Sequence, residues 1–247
     1  MPVNNSFIRK LEGLAPLTGE DRRVLGVLPM RTRRLGAGET LLAEGERPSD
    51  VHLLISGWAF RHKTLPDGRR QIVGYLIPGD LCDIHIFVLK RMDHSIGLLS
   101  DATVGLIAPD AMLDLLDAHP RIARGLTWST LVDEATLREW LANIGRRDPY
   151  TRVAHLLCEM WLRSRAVGLA TGGRLDLPLT QEVLGDTVGL TPVTVNRVLQ
   201  RLRGEGLITL ASGVLTVLNA PGLIAASDFD GQYLHRDFET KPADATT

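Results

Sequence analysis

The stretch from residue 179 to residue 207, LTQEVLGDTVGLTPVTVNRVLQRLRGEGL, decides the fold of the C-terminal part of the chain. Thr180 is a typical N-cap residue for a short helix, and Gly189 can end that helix because glycine tolerates the left-handed turn that follows a helix. A second helix begins three residues later, with Thr191 as its N-cap and Pro192 at its first position. The pattern therefore predicts two helices joined by a tight turn, which is a helix-turn-helix.

The apolar residues of the second helix predict which of its faces is buried. Val195, Val198, Leu199 and Leu202 follow one another at intervals of 3, 1 and 3 residues, as on one side of a helix. The opposite side suits a DNA groove, because Arg can read guanine, Asn can read adenine, and Val or Thr can contact the thymine methyl group. The residues predicted to contact DNA are Thr180, Gln181, Thr191, Pro192, Val193, Thr194, Asn196, Arg197, Gln200 and Arg201.

The charge on this side of the helix has one sign. From Val193 to Arg203 the sequence has three arginines and no acidic residue, whereas a face that is merely solvated normally mixes both signs. Residues 207–210 and 214–218 then predict a hairpin around the turn 211–213, which completes a winged form of the motif. DNA binding is therefore favoured over a helical hairpin with a solvated charged face.

The residues before this motif change their periodicity near residue 110. From 35 to 107, short apolar runs alternate with glycines at the spacing of a β sandwich or barrel. From Asp110 to Gly145 the spacing is helical and predicts one long helix. Its apolar stripe either packs on the β domain or pairs with the same stripe of a second copy. The residues predicted for the dimer interface are Ile122, Leu126, Leu137, Leu141 and Ile144.

The order of these parts resembles the Crp/Fnr family of bacterial transcription regulators. The motifs that carry the resemblance are Gly38-Glu39-Thr40-Leu41, Glu44-Gly45, Leu53-Leu54-Ile55-Ser56-Gly57, Pro78-Gly79-Asp80-Leu81, Val188-Gly189-Leu190-Thr191 and Thr194-Val195-Asn196-Arg197-Val198-Leu199. The resemblance implies an α+β fold with a jelly-roll-like β-roll as sensor domain, a dimerisation helix and a winged helix-turn-helix. The implied limits are 1–109 for the β-roll, 110–146 for the dimerisation helix and 147–226 for the DNA-binding domain. The polar residues 227–247 are expected to form a flexible, frayed tail.

The resemblance also implies how DNA is bound. A homodimer would place its two recognition helices in successive major grooves of a partly palindromic site, about 34 Å apart. Arg197 lies where the family places an arginine that reads guanine. At Val193 the family usually has a glutamate that accepts a hydrogen bond from cytosine, which valine cannot do. We therefore expect Val193 to face an A·T or T·A pair and to contact the methyl group of thymine.

The effector pocket of the family is degenerate in this chain. Members that bind cyclic AMP follow the Gly-Asp pair with Gly-Glu-Leu and then Arg-Ser, which hold the ribose and the phosphate. Counted from Gly79-Asp80, the matching residues here are Asp83, Ile84, His85, His94 and Ser95. A buried phosphate needs a charged partner, and a histidine with a pKa near 6.5 replaces an arginine poorly at pH 7. We therefore expect no tight binding of cyclic AMP.

Redox and metal chemistry have little support in the sequence. An iron–sulfur cluster of the Fnr type needs four cysteines, and the chain has two, Cys82 and Cys158. Cys82 with Asp83, His85 and His94 could bind haem or a transition metal; the alternative is a buried free thiol beside ordinary polar residues. We expect no cofactor and no metal.

Composition and missing motifs limit the other function classes. The chain has 247 residues, 44% hydrophobic and 23% charged, as in a globular protein of two packed units. No signal peptide begins it and no phosphate loop, nucleophile elbow or zinc-protease motif occurs, so we expect a cytoplasmic protein that is neither an enzyme nor membrane-bound. The expected partners are double-stranded DNA, a second copy and, for an activator, RNA polymerase. We expect activation of transcription only because it is usual in the Crp/Fnr family. Alternatives are a regulator switched by a small molecule, haem or metal, and a nucleotide-binding module whose helix-turn-helix packs on a protein.

Overall fold

The computed structural model describes residues 5–84 and 91–235. This part of the chain forms a β domain, a long helix and a helical domain with a small sheet of its own. The predicted α+β class, with a β-roll followed by a long helix and a winged helix-turn-helix, is confirmed.

The β domain consists of two antiparallel sheets behind two short helices that the sequence analysis did not predict. The helices are α1 (Asn5–Glu12) and α2 (Gly19–Gly26), and the strands are β1 (Arg31–Leu35), β2 (Thr40–Leu42), β3 (Val51–Ser56), β4 (Ala59–Thr64), β5 (Arg70–Leu76), β6 (Ser95–Leu98) and β7 (Ala102–Ile107). One sheet has the order β1-β7-β3 and the other β2-β6-β4-β5. The two sheets enclose apolar residues, as the alternating sequence pattern predicted.

Strand β1 lies at the edge of its sheet. It pairs only with β7 among the described strands, from Arg31 opposite Leu106 to Leu35 opposite Ala102. Its first four residues are all exposed, and three of them are arginines: Arg31, Arg33 and Arg34.

The prediction of one helix from Asp110 to Gly145 is wrong at its N-terminal end. The chain forms two helices, α3 (Pro109–Ala118) and α4 (Pro120–Arg146), with His119 between them. Pro120 explains the break, because proline has no N–H to donate and its ring would clash with the preceding turn inside a helix. Proline is favourable at a first helical position, and Pro120 therefore starts α4.

Two of the residues predicted for a dimer interface lie inside the chain's own core. Ile122 and Leu126 are buried in a cluster with Phe7, Leu11 and Leu115. Helix α1 packs against this half of α4 and closes the cluster. The prediction that Ile122 and Leu126 face a second copy is therefore wrong.

The C-terminal half of α4 differs from its first half. Leu137 is 51% exposed and Leu141 is 74% exposed, whereas Ile144 is half-buried beside the backbone of Gly189. Of the predicted apolar stripe, only the part at Leu137 and Leu141 is therefore open to solvent.

The helical domain begins after a short break in the helices. Asp148 caps the next helix by accepting hydrogen bonds from the backbone N–H groups of Tyr150 and Thr151. The elements of the domain are α5 (Pro149–Ala166), β8 (Arg174–Asp176), α6 (Gln181–Val188), α7 (Pro192–Gly204), β9 (Ile208–Ala211), β10 (Val214–Val217) and α8 (Ala220–Ala226). Strand β8, which the sequence analysis missed, joins the predicted hairpin in a sheet of order β8-β10-β9.

The β domain and the helical domain share one hydrophobic cluster. Strand β5 lies against α6, and three side chains of the strand bond to the helix. Arg70 Nη2 lies 2.7 Å from Asp186 Oδ2, Gln71 Nε2 donates to the Thr187 carbonyl at 3.0 Å, and Tyr75 Oη lies 2.5 Å from Thr187 Oγ1. The first helix of the helix-turn-helix is therefore bonded directly to the β domain.

The expectation of a frayed tail is wrong for residues 227–235. Phe229 and Leu234 are buried, and residues 231–234 form a helical turn that packs on α4. Tyr233 Oη donates to Glu159 Oε2 at 2.7 Å, and His155 Nδ1 lies 3.2 Å from the Ser227 carbonyl oxygen. These apolar and polar contacts order the segment. The rest of the predicted tail, 236–247, lies outside the described residues.

The burial of His155 predicts a pH dependence of stability. The side chain is fully buried on α5, and this burial lowers its pKa from the ordinary value of 6.5. Below about pH 6.5 the unfolded chain binds a proton at this residue before the folded chain does, so the free energy of unfolding decreases as the pH falls. One proton can change the free energy of unfolding by at most about 1.4 kcal/mol per pH unit.

We expect His155→Gln, which cannot titrate, to make this decrease shallower. Denaturant unfolding at a series of pH values from about 7 to 5 measures both slopes. Equal slopes in the variant and in the wild type would contradict the assignment.

Candidate nucleic-acid interface

Helices α6 and α7 form the predicted helix-turn-helix, and local bonds fix both of its N-termini. Thr180 Oγ1 accepts a hydrogen bond from Val183 N, and Thr191 Oγ1 accepts one from Thr194 N, each at 3.2 Å. Between the helices Gly189 adopts φ +66°, in the left-handed region. These are the two caps and the turn that the sequence predicts.

The buried side of α7 is the one that the apolar spacing predicts. Its residues Val195, Val198, Leu199 and Leu202 all lie in the core. Helix α7 packs through them on α5 and α6, so its opposite side is turned to solvent.

The predicted DNA-contact residues are accessible from that side. Exposed positions are Thr180, Gln181, Thr191, Pro192, Val193, Asn196, Arg197, Gln200 and Arg201, and Thr194 is half-buried, with its hydroxyl 3.0 Å from that of Thr191. Val193 is 70% exposed, although its side chain is apolar. Within the described part of the chain, Arg197 has no ion pair or side-chain hydrogen bond.

The other two arginines of α7 have partners within the protein. Arg201 Nε donates to Glu205 Oε1 at 2.8 Å, and its guanidinium lies 4.0 Å from the ring centre of Tyr150. Hydrogen bonds from Tyr150 and from Arg201 lower the pKa of Glu205, so this carboxylate stays ionised beside Arg201. Arg203 donates to the Leu210 carbonyl in the wing. Arg197 is thus the arginine of α7 that is free to contact a base.

The wing follows directly after α7. Strands β9 and β10 pair in register from Val214 opposite Ala211 to Val217 opposite Ile208. Ser212 and Gly213 both have positive φ, 50° and 73°, which is the backbone of the two-residue turn that best fits a twisted hairpin.

A cavity of about 450 Å³ lies between the β domain and α4. Of the residues predicted for an effector pocket, Asp83 and His94 line it. Ile84 instead packs against the apolar cluster that contains Phe7 and Leu126. Ser95 Oγ accepts a hydrogen bond from Glu44 N at 3.0 Å. His85 lies outside the described residues.

Two cationic side chains of β4 face this cavity, and the sequence analysis missed both. Arg61 and Lys63 are two residues apart, so the alternation of a strand places them on one face. Each already has a carboxylate partner: Arg61 Nη1 lies 3.4 Å from Asp133 Oδ2, and Lys63 bonds to Glu44. A ligand would meet paired cations there.

The acidic and imidazole groups around the cavity are also paired. Asp83 Oδ2 lies 2.6 Å from His52 Nδ1, and His94 Nδ1 lies 2.7 Å from Asp93 Oδ1. Burial lowers the pKa of His94, so its ring is neutral at pH 7. It cannot supply the positive charge that an arginine would.

The cysteines and the metal-ligand types give no cluster in the part of the chain that the structure describes. Cys82 and Cys158 are both buried, and burial raises the pKa of each thiol, that of Cys158 to about 12. No group of three or more His, Cys, Asp or Glu side chains that could hold a metal ion occurs among residues 5–84 and 91–235. No helix in the same ranges is long and apolar enough to cross a bilayer.

Two family models match the chain, the cyclic nucleotide-binding domain over residues 32–119 and the Crp-like helix-turn-helix domain over residues 151–226. The transcriptional activator protein FnrL of Cereibacter sphaeroides is 30% identical over 185 residues, which cover 72% of each protein. This chain belongs to the Crp/Fnr family. Like the family, it is a DNA-binding transcription regulator.

Other members of the Crp/Fnr family are also similar to this chain in sequence and in structure. The nitrogen fixation regulation protein FixK of Bradyrhizobium diazoefficiens is 27% identical over 190 residues, covering 76% of this chain and 78% of FixK. The structure of FixK2 from Bradyrhizobium japonicum superposes with a TM-score of 0.72 at 26% identity, covering 81% of this chain and 98% of that one.

The geometry of α7 predicts different roles for two of its arginines. Arg197→Ala removes the unpartnered guanidinium, and we expect it to cost about 1–3 kcal/mol in binding to the cognate duplex and less on unrelated DNA. Arg201→Ala is the matched control on the same helix. Because Arg201 is held beside Tyr150 and Glu205, its loss should weaken both duplexes by the same factor. Fluorescence anisotropy with the two duplexes measures this, and equal losses for Arg197→Ala would show a phosphate contact instead.

Proposed function

We propose that this protein is a homodimeric transcription activator that binds a partly palindromic promoter site without cyclic AMP, with RNA polymerase as its further partner. One observation carries the DNA-binding mode: Arg197 is exposed and without a partner among the described residues, while Arg201 and Arg203 are held. A guanidinium that is free in the middle of a groove-facing helix can form two hydrogen bonds to guanine. Activation is supported by the named function of FnrL. The protein works in the cytoplasm, where promoters lie, and has no catalytic role.

Two further parts of the contact surface complete the proposed mode of DNA binding. Val193 stands at the exposed N-terminal end of α7 and presents methyl groups, which favour a thymine beside them. Thr180 and Gln181 lie at the N-terminus of α6, where backbone N–H groups and the helix dipole favour a DNA phosphate.

The dimer interface that we propose is shorter than the sequence analysis expected. Its residues are Leu137, Leu141 and Ile144, which follow one another at intervals of 4 and 3 residues. This is the heptad spacing at which one helix pairs with another. Leu137 and Leu141 are large apolar side chains in water, a common mark of an interaction surface.

Independence from cyclic AMP is supported by the charges around the cavity. Four carboxylates line it, on Asp83, Asp93, Asp133 and Glu134, against the two cations Arg61 and Lys63. A cyclic phosphate would have to break an existing ion pair to gain a partner, and stripping water from a phosphate is costly. The neutral ring of His94 offers no substitute.

A second candidate function has an observation in its favour. The cavity is large enough for a small molecule and opens between the sensor sheet and α4, so a ligand that is not a cyclic nucleotide could switch the regulator.

Selection of bound duplexes from a random pool tests the proposal. We expect the purified protein, with no additive, to select two half-sites related by a dyad, each with a G·C pair for Arg197 and an A·T or T·A pair for Val193. Adding cyclic AMP should change neither the site nor the affinity. Val193→Glu is expected to shift its base pair to C·G. An essential G·C pair at the wild-type Val193 position would contradict the contact, and selection only with an added small molecule would favour the second candidate.

The proposed interface predicts the effect of a charge at Leu141. Leu141→Glu places two carboxylates opposite each other in the dimer, so we expect a monomer at concentrations where the wild type is a dimer. Sedimentation analysis measures the two states. Leu218→Glu, at an exposed leucine beyond β10, is the matched control and should leave the dimer intact. A Leu141→Glu protein that remains dimeric would place the interface elsewhere.

A further inference from the structure

The carboxylate of Glu159 on α5 is fully buried and is the centre of a network that reaches four parts of the chain. Trp140 Nε1 of α4 donates to Glu159 Oε2 at 3.0 Å, and Tyr233 Oη, from the segment beyond the DNA-binding domain, donates to the same oxygen at 2.7 Å. Arg163 Nη1 donates to Glu159 Oε1 at 3.3 Å. A buried carboxylate needs such donors, because leaving it unpaired would cost several kcal/mol.

Arg163 continues the network into the β domain. Its Nη2 donates to the Tyr75 carbonyl at 3.1 Å and lies 3.6 Å from Asp80 Oδ2. The side chain of the same tyrosine points to α6. Since Thr187 Oγ1 donates to the Val183 carbonyl at 2.8 Å, its oxygen accepts from Tyr75 Oη at 2.5 Å.

The bonds therefore form one path, from Tyr233 through Glu159, Arg163 and Tyr75 to Thr187. Trp140 of α4 contacts the path at two points, Glu159 and Tyr75. Its indole N–H donates to Glu159, and its ring packs edge-on against the Tyr75 ring with 5.7 Å between the ring centres. The path joins the end of the described chain to the first helix of the helix-turn-helix, across the sensor domain.

The segment at the start of this path follows the Crp-like helix-turn-helix match, which ends at residue 226. Phe229 packs against Tyr233 at 5.8 Å between ring centres, and Leu234 is buried beside α4 and α5. The contacts are those of a strap across two helices, not of a solvated tail.

We propose that residues 227–235 are a strap that fixes the position of α6 and α7 relative to α4, with Tyr233 as a positioning residue for DNA binding. Tyr233 holds Glu159, Glu159 holds Arg163, and Arg163 holds Tyr75 against α6. This inference rests on the proposed homodimer, because a dimer built on α4 sets the distance between its two recognition helices through this packing. A site with two half-sites accepts only a dimer whose recognition helices have the matching separation.

The test compares one half-site with two. Tyr233→Phe removes a single hydroxyl, and we expect about a tenfold loss of affinity for the two-half-site duplex with little change on a single half-site. A change confined to the folding of the DNA-binding domain would instead weaken binding to the single half-site as well. Glu159→Gln should act in the same direction, and the double variant should lose no more than the larger single loss, since both act on one path. Thermal unfolding verifies that each variant is folded.

Tyr150→Phe is the matched control, because Tyr150 also donates its hydroxyl to a glutamate, Glu205, but within the DNA-binding domain alone. It should leave the ratio of the two affinities unchanged. A wild-type preference for two half-sites that Tyr233→Phe leaves intact overturns this inference alone. A wild type with no such preference overturns the homodimer proposal and this inference with it.

Discussion

The helix-turn-helix depends on a backbone contact that leaves no room for a side chain. A Cβ atom at Gly185 would lie 2.5 Å from the Leu190 carbonyl oxygen, and Leu190 N donates to the Gly185 carbonyl at 3.1 Å. Only glycine lets α6 and the start of α7 approach so closely. This contact fixes how closely the start of α7 approaches α6.

The sequence was most informative where the cause of a structure is local. The caps at Thr180 and Thr191 and the buried side of α7 depend on residues within a few positions of one another, and all were predicted correctly. The break before Pro120 also had a local signal, which the apolar periodicity on both sides of it obscured. Local rules were enough for the recognition helix and for its exposed face.

What the sequence could not provide depends on distant partners. Ile122 and Leu126 fit a dimer stripe by spacing, and only the packing of α1 shows that they are buried. Tyr233 lies in a polar segment, and its order depends on Glu159, which is 74 positions earlier in the chain. Arg61 and Lys63 could have been found from strand alternation, but their carboxylate partners on other elements could not. The spacing of residues shows which side chains share one face of a helix or strand. Tertiary contacts decide what that face packs against.

The arginines on β1 have a consequence for the behaviour of the protein in a crowded cell. The outer edge of this strand carries backbone N–H and C=O groups that another extended chain could pair with, which is how sheets aggregate. Arg33 and Arg34 place positive charge beside that edge, whereas Arg31 is paired with Asp50 at 3.0 Å, and an incoming copy would bring the same charges against them. Like-charge repulsion therefore disfavours the pairing of two copies through this edge.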